Sequence, residues 1–470
     1  MSADRLSSLD VSFLYLETSR RTMHLGTVAI FATPESGPET GLDYDRLCDL
    51  VERRIAAAPR YRQKVRAVPG RVANPVWVDD EHFDLGYHVR RSALPRPGSV
   101  EQLQELVGRV QSRPLDRTRP LWELYVVEGL APDGDQPRFA IITKTHHALL
   151  VHDATTDLAS LLLDPRPDPP VLPDDTWVPR SEPSPVALVA DAVAENLRRP
   201  TQMLETLRSD LTDVRAIAAR VLGTVAGAAN AVGASLRPAP ATPLDVTTGE
   251  HRRFVTAKTP LDDYRRVRAG AGGTVNDVVL ATVAGALRIW LLTRGESVTP
   301  ASVVRALTPV SVPEVGGARL DQVRPLFVDL PVGEGNPIVR LHQVSYATRA
   351  HRESGQAINA DAIAALSGFA PPRLHAAAAR LGVRMARRLF NVIVTNVPGP
   401  QFAMYADGAR MIECYPVAPL TPDHALTIGV TSYDGQVCYG LNADRDALPD
   451  VDVLAQCLHE SLEELTETRR

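Results

Sequence analysis

Hydrophobic and polar positions along this chain follow two periods, one typical of strands and one typical of helices. Short apolar runs rich in β-branched residues predict buried strands at Thr27–Phe31 and Phe139–Ile142. Apolar residues that recur every three or four positions predict amphipathic helices at 44–58 and 100–110. Because such strands and helices alternate, we expect the chain to begin with an α/β sheet domain over residues 1–165.

Residues 166–240 interrupt this pattern. The many prolines between positions 164 and 185 exclude a helix or a central strand, which predicts a linker held on the protein surface. The Ala-rich stretch 186–236 carries apolar residues at helical spacing, namely Leu204, Leu207, Leu211 and Val214. Its polar positions mix Asp, Glu and Arg, so we expect a helix that packs on its own protein and not on a membrane.

The alternation of strands and helices returns in residues 241–470. Strands are predicted at 253–256, 303–307, 326–330, 391–395 and 425–431, and helices at 261–267, 338–352, 360–370 and 451–465. Thr274 followed by Asp277 matches a capping box, which predicts a long apolar helix running to Trp290. Asp434 and Gly435 predict a hairpin turn. Since the two halves share one plan, we predict two α/β domains with a cleft or tunnel between them.

Composition narrows the class of protein. The 470 residues are 44% hydrophobic and 23% charged, as in globular proteins, and the net charge of −5 lacks the basic excess of nucleic-acid-binding proteins. The four cysteines show no CxxC or metal-ligand spacing, which favours reduced thiols in the cytoplasm. The N-terminus has no signal-peptide core, and no apolar run has the length of a bilayer span, so we expect any membrane contact to be peripheral.

The chemistry is concentrated in the stretch Lys144–Asp157, KTHHALLVHDATTD, in which His146 and His147 stand where the preceding strand is predicted to end. A neutral imidazole at a strand end, facing a cleft, is suited to act as a general base near neutral pH. On this stretch alone the alternative is structural, with one ring bonded in the core and the other solvated. A metal site is disfavoured, because neighbouring histidines rarely aim at one ion.

Several separated motifs, taken together, resemble a known family. They are Leu9-Asp10 with Phe13-Leu14, Met23-His24-Leu25-Gly26, Pro120-Leu121-Trp122, the double histidine, Asn276-Asp277, Asn396-Val397-Pro398-Gly399-Pro400 and Ser432-Tyr433-Asp434-Gly435. In this order and spacing they make the chain similar, across nearly its whole length, to the bacterial wax ester synthase/acyl-CoA:diacylglycerol acyltransferase family.

The resemblance implies a fold of two chloramphenicol-acetyltransferase-like domains, related to the condensation domains of peptide synthetases. It implies transfer of an acyl group from acyl-CoA, as co-substrate and with no other cofactor, to diacylglycerol or a long-chain alcohol. The first and second histidines of the family motif HHxxxDG fall on His146 and His147, which the resemblance implies as catalytic residues, with His147 as the general base. Asn276 is our candidate for polar support of the oxyanion, and a helix-capping amide is its alternative role.

The chain departs from this motif at its centre. Where the family has Asp-Gly, an alignment without gaps places Val151 and His152, whereas an insertion of two residues would place Asp153 and Ala154 there. We expect the gapless alignment, because the downstream spacing then stays intact. Valine accepts no hydrogen bond, so an arginine that relied on the missing carboxylate would lose its buried counter-charge.

Two functions of different class follow from these observations. The first is an O-acyltransferase of neutral-lipid synthesis. The second is a catalytically weakened relative that binds acyl-CoA or lipid without turnover. Since both substrates of the first are lipids or lipid-like, we expect a cytoplasmic protein docked at the inner membrane or at a lipid-body surface.

Overall fold

The computed structural model describes residues 4–33, 43–150, 157–168, 175–198, 238–312, 322–353 and 389–468. Within these ranges the chain forms two six-stranded sheets and one three-stranded sheet, with helices packed on them. The predicted α/β class is therefore confirmed. The helices predicted around Leu204 and at 360–370, and the motif positions Val151, His152 and Asp153, lie outside the described residues.

The N-terminal half supplies the small sheet and most of the first large sheet. Its strands are β1 (Asp4–Arg5), β2 (His24–Ala32), β3 (Gln63–Arg66), β4 (Val76–Asp79), β5 (Val89–Ala93), β6 (Trp122–Asp133) and β7 (Gln136–His146). Its helices are α1 (Ser8–Leu16), α2 (Tyr44–Ala56), α3 (Leu85–His88), α4 (Val100–Ser112), α5 (His147–Leu150), α6 (Leu158–Leu162) and α7 (Pro185–Arg198). The small sheet has the order β1-β4-β3, and β2, β7, β6 and β5 are neighbours in the first large sheet.

The C-terminal half repeats the alternation. Its strands are β8 (Arg252–Pro260), β9 (Val304–Val312), β10 (Gln322–Leu330), β11 (Val392–Pro398), β12 (Tyr405–Ala406), β13 (Ala409–Val417), β14 (Leu426–Tyr433) and β15 (Gln436–Asp444). Its helices are α8 (Leu261–Ala271), α9 (Val275–Thr293), α10 (Pro337–Glu353) and α11 (Val451–Glu467). The second large sheet has the order β10-β9-β11-β14-β15-β8.

Two short sequence signals in this half form the predicted local structures. Thr274 and Asp277 make both hydrogen bonds of the capping box at the start of α9. Asp434 and Gly435 take φ values of 43° and 81°, the left-handed values that a tight hairpin between β14 and β15 requires. Both predictions are confirmed, because each depends on neighbouring residues alone.

One strand joins the two halves. Strand β13 belongs by sequence to residues 241–470, yet it hydrogen-bonds β2, so the first large sheet has the order β12-β13-β2-β7-β6-β5. The hydrophobic pattern does not predict this strand. Pro416 of β13 packs over Gly429 and Gly440, which face each other across β14 and β15. A Cβ at Gly440 would lie 2.0 Å from the Pro416 carbonyl oxygen, so glycine is needed for this close approach.

Helix α9 lies at the centre of the hydrophobic core of the C-terminal half. Its residues from Asp277 to Leu287 are all buried, and the helix packs against α10 and α11. By length and hydropathy α9 would suit a bilayer span, contrary to the expectation that no apolar run is that long. Because most of α9 is covered by its own protein, it is a core helix.

The end of the proline-rich stretch lies against the small sheet. Asp175 forms an ion pair with the buried Arg62, and the Arg180 guanidinium lies 3.1 Å from the Asp79 carboxylate. These two ion pairs attach residues 175–184 to the N-terminal half, while the linker role of this stretch stays a prediction.

Candidate functional site

Strand β7 carries the histidine pair to the point where α5 begins. His146 is the last residue of β7, and His147 is the first residue of α5. The His146 N–H donates to the Leu121 carbonyl at 2.9 Å, and the His147 N–H donates to the Met23 carbonyl at 2.8 Å. Both acceptors belong to motifs that the sequence singles out, so three separated motifs meet at the histidine pair.

The His146 ring is enclosed by the protein. Its Nδ1 accepts a hydrogen bond from the Ala148 N–H at 3.1 Å, which places the ring proton on Nε2. That Nε2 lies 3.8 Å from Oε2 of Glu17. Burial, reinforced by the positive charge of Arg117, lowers the pKa of His146 to about 3, so the ring is neutral at pH 7. An enclosed, neutral ring in this place is suited to holding its neighbours in position.

The His147 ring stacks on Phe13, with centroids 3.9 Å apart and an angle of 20° between the rings. Burial lowers the pKa of His147 to about 4, and its own backbone carbonyl opposes this fall. Its Nδ1 is buried and has no hydrogen-bond partner of good geometry among the described residues. Because Nδ1 is buried while the residue as a whole is only partly buried, the other ring nitrogen, Nε2, is the candidate for contact with a substrate.

An ion pair that the sequence does not predict lies behind His146. Arg117 donates to Oε2 of Glu17 from Nε at 3.0 Å and from Nη2 at 2.7 Å, and Nη2 also donates to the Leu14 carbonyl at 2.7 Å. The Met23 N–H donates to the other oxygen of Glu17 at 3.2 Å. The Glu17 side chain is 3% exposed. Its carboxylate is thus fixed from two sides and faces the histidine.

Lys144 fixes the other side of β7. Its fully buried Nζ donates to the carbonyls of Arg113 and Val110 at 2.6 and 3.1 Å, and lies 3.5 Å from the Glu123 carboxylate. Both carbonyls lie at the C-terminal end of α4, where a positive charge is favourable. Burial lowers the pKa of Lys144, and Glu123 opposes that fall. The lysine therefore anchors the histidine strand to α4.

Asn276 lies in the second half of the protein, at the start of α9. Its Oδ1 accepts a hydrogen bond from Nδ2 of Asn396 at 2.8 Å, so two of the motif residues meet. Thr274 and Asp277 cap the helix, so the alternative prediction that the Asn276 amide is the cap is wrong. Among the described residues, no hydrogen bond joins Asn276 to either histidine.

Gly399 lies where two strands come close together. It is not among the glycines with positive φ, so backbone conformation does not require glycine here. A Cβ at this position would instead lie 2.5 Å from the Ser432 carbonyl oxygen, to which the Gly399 N–H donates at 3.0 Å. Close approach of two strands, and not backbone conformation, requires glycine here.

The chemical character of the site comes from its two imidazole rings. Within the described ranges, no group of three or more His, Cys, Asp or Glu side chains is arranged to hold a metal ion. A neutral, partly accessible imidazole beside a second, enclosed imidazole is an arrangement suited to proton transfer.

Comparisons with known families and proteins identify the relatives of this chain. Residues 6–279 match the wax ester synthase/diacylglycerol acyltransferase catalytic domain, and residues 321–466 match the C-terminal domain of the same family. The chain is 32% identical over 465 residues to the probable diacylglycerol O-acyltransferase tgs1 of Mycobacterium tuberculosis strain ATCC 25618 / H37Rv, covering 98% of this chain and 96% of that protein. It is 42% identical over 268 residues to tgs3 of the same strain, covering 56% of this chain and 95% of that protein.

Solved structures show the same fold. The wax ester synthase/diacylglycerol acyltransferase from Marinobacter aquaeolei VT8 superposes with a TM-score of 0.69 at 28% identity, covering 98% of both chains. The first condensation domain of the CDA synthetase superposes with a TM-score of 0.55 at 13% identity, covering 99% of this chain and 97% of that chain. The second likeness concerns the fold alone. Together they confirm the predicted two-domain, chloramphenicol-acetyltransferase-like architecture.

Proposed function

This chain belongs to the wax ester synthase/diacylglycerol acyltransferase family, and we propose that it transfers a fatty acyl group from acyl-CoA to the hydroxyl group of diacylglycerol or of a long-chain alcohol. The observation that carries the proposal is the His147 ring, which is neutral, stacked on Phe13 and buried at Nδ1, so that Nε2 is the nitrogen left to act as the base. A hydroxyl group is a weak nucleophile at neutral pH and needs such a base as it attacks a thioester.

The proposed reaction needs no covalent intermediate on the enzyme. The acceptor oxygen attacks the thioester carbonyl carbon while Nε2 of His147 takes the hydroxyl proton. The carbon–sulfur bond then breaks, and the imidazolium returns the proton to the sulfur of CoA. Holding both substrates together makes this step effectively unimolecular. Glu17 and His146 act in this scheme as positioning residues, because neither has a free route to the reacting atoms.

Asn276 is the proposed source of polar support for the tetrahedral oxyanion. Its Oδ1 is occupied by Asn396, which leaves its Nδ2 to donate. Loss of one such donor typically lowers kcat by about 100-fold or more. Asn276→Ala is therefore expected to lower kcat far more than it raises KM. An unchanged kcat would show that Asn276 does not stabilise the oxyanion.

Radiolabelled palmitoyl-CoA with diacylglycerol or hexadecanol tests the reaction directly. Wild-type protein should form labelled triacylglycerol or wax ester, and His147→Ala should lose nearly all turnover. His82→Ala is the matched control, because His82 is exposed. Equal turnover in wild type and His147→Ala would show that His147 is not the general base. If the wild type binds palmitoyl-CoA without turnover, the protein is instead a lipid-binding relative.

The departure at Val151 and His152 bears on the rate and is tested separately. If the gapless alignment is correct, Val151→Asp combined with His152→Gly restores the family motif and should raise turnover. A fall in turnover would instead support the alignment in which Asp153 takes the motif position. Both positions lie outside the described residues, so this experiment rests on the sequence.

We further propose that the protein docks, from the cytoplasm, on the surface of the inner membrane or of a lipid body. Helix α7 packs on the small sheet through Leu188 and Ala192. It nevertheless leaves Val186 and Val193 exposed, 78% and 50%, and Val72, in the connection from β3 to β4, is 48% exposed. The sequence predicts a helix that packs on its own protein, and α7 does so through one face. The two valines that it leaves exposed can contact a further apolar partner, and the lipid substrates supply one.

Flotation with phosphatidylcholine vesicles containing diacylglycerol tests this docking. Val186→Ser with Val193→Ser should lower the bound fraction several-fold. Leu292→Ser with Val453→Ser is the control, because these residues of the second half are 48% and 38% exposed. Equal loss in both pairs, or no flotation of the wild type, would contradict docking through α7.

A further inference from the structure

A cavity of about 230 Å³ lies between helix α1 and the chain that connects β3 to β4. Apolar side chains from the two elements line it, among them Leu14 from α1 and Val68 and Ala73 from the connection. Arg117 and Leu121 close the side nearest β7. The site described above does not use this cavity.

The cavity touches the residues that hold the histidine pair. The carbonyl of Leu121 accepts the His146 N–H at 2.9 Å. The Arg117 guanidinium lies 2.7 Å from the Glu17 carboxylate, which in turn is 3.8 Å from the His146 ring. Leu14 follows Phe13, the residue on which His147 stacks. A ligand in the cavity would therefore contact Leu14, the direct neighbour of the residue that stacks on the proposed base.

The lining selects the chemistry of the ligand. The charge of Arg117 is already balanced by Glu17, and its Nη2 also serves the Leu14 carbonyl. A free carboxylate would have to compete with Glu17, whereas a hydrocarbon meets apolar walls on the other sides. The volume is below the range of pockets that enclose a whole drug-sized ligand, so the cavity accommodates part of one chain.

We propose that this cavity binds the hydrocarbon chain of one of the two lipid substrates and so sets the preferred chain length. The inference rests on the proposed acyl transfer. The donor and the acceptor both carry such a chain, and the experiment separates them. Ala73 is the residue to change, because it lines the cavity and a larger side chain there fills it.

The test compares wild type with Ala73→Phe and with the smaller change Ala73→Leu in two substrate series. One series varies the donor from butyryl-CoA to palmitoyl-CoA with hexadecanol fixed, and the other varies the alcohol from butanol to hexadecanol with palmitoyl-CoA fixed. Excluding two methylene groups should lower the ratio of long-chain to short-chain kcat/KM about tenfold in one series. Ala73→Leu should give a smaller shift. The series that changes identifies the bound chain.

Two results would overturn the inference. One is an unchanged chain-length profile in both series for both variants. The other is an equal loss for every chain length, which would mark structural damage. Ala301→Phe is the control, because Ala301 is exposed and lies outside the cavity lining. If wild type shows no turnover, calorimetry can still measure the binding of palmitoyl-CoA and of hexadecanol to wild type and to Ala73→Phe. Weaker binding of one of them to the variant would support the cavity as its site, independently of the proposed reaction.

Discussion

The rings of Phe13 and His147 stack with their centroids 3.9 Å apart. Phe13 is carried by α1, whose next residue, Leu14, accepts a hydrogen bond from Arg117. The same helix thus contacts the ring of the proposed base and the ion pair behind the other histidine. The orientation of the histidine pair therefore depends on the position of α1.

Replacing Phe13 by Leu is expected to lower kcat about three- to tenfold, with a smaller change in KM. A stacked aromatic contact contributes about 0.5–1.5 kcal/mol beyond burial, and its loss frees the His147 ring to rotate. Steady-state kinetics with palmitoyl-CoA measure the effect. Phe83→Leu is the control, since Phe83 stacks on the buried His88 at 5.3 Å and not on the histidine pair. A larger loss of kcat in the control would contradict the role of the stack.

Glu17→Gln is expected to lower kcat about tenfold and to leave KM nearly unchanged. Glutamine keeps the shape but removes the charge that holds Arg117 and faces His146, and hydrogen bonds to charged groups contribute about 1.5–3 kcal/mol. Glu128→Gln removes the carboxylate of an exposed pair with Arg91 and should leave kcat unchanged. If Glu17→Gln only destabilises the fold and kcat stays the same, Glu17 is structural.

The pH dependence of kcat/KM should have its acid limb near pH 4. Burial lowers the pKa of His147 to about 4, so the ring stays neutral, and able to accept a proton, from pH 8 down to about pH 5. Below pH 4 the protonated fraction grows, and kcat/KM should fall about tenfold per pH unit. Initial rates between pH 3.5 and 8 measure this profile. A limb near the ordinary histidine value of 6.5 would mean that the base is solvated.

Asp175→Asn is expected to lower the free energy of unfolding by about 2 kcal/mol. Arg62 is 3% exposed, its guanidinium lies 4.9 Å from the Trp177 ring, and Asp175 provides a carboxylate to it from the linker. The variant leaves that buried charge without this partner. Urea unfolding measures the change, with the exposed Asp168→Asn as control. Equal stability of the two variants would show that the linker does not stabilise the N-terminal half.

Local sequence determined much of the fold and the position of the proposed base. The strand before His146, the capping box at Thr274 and the hairpin at Asp434 each depend on residues within a few positions, where period and turn chemistry act. The spaced motifs indicated the family, and the family motif pointed to His147. These features are confirmed where the structure describes them, while the roles of His147 and Asn276 stay predictions.

Tertiary structure decided the contacts between distant parts of the chain. Glu17 and Arg117 are 100 residues apart and have no common local pattern. Strand β13 pairs with β2. The choice of a neighbouring strand depends on how side chains pack across the sheet, and the sequence of one strand does not contain that information. Gly399 needs to be glycine because another strand approaches it. Sequence thus placed a histidine at a strand end, and only packing over long separations supplied the phenylalanine, the carboxylate and the cavity that surround it.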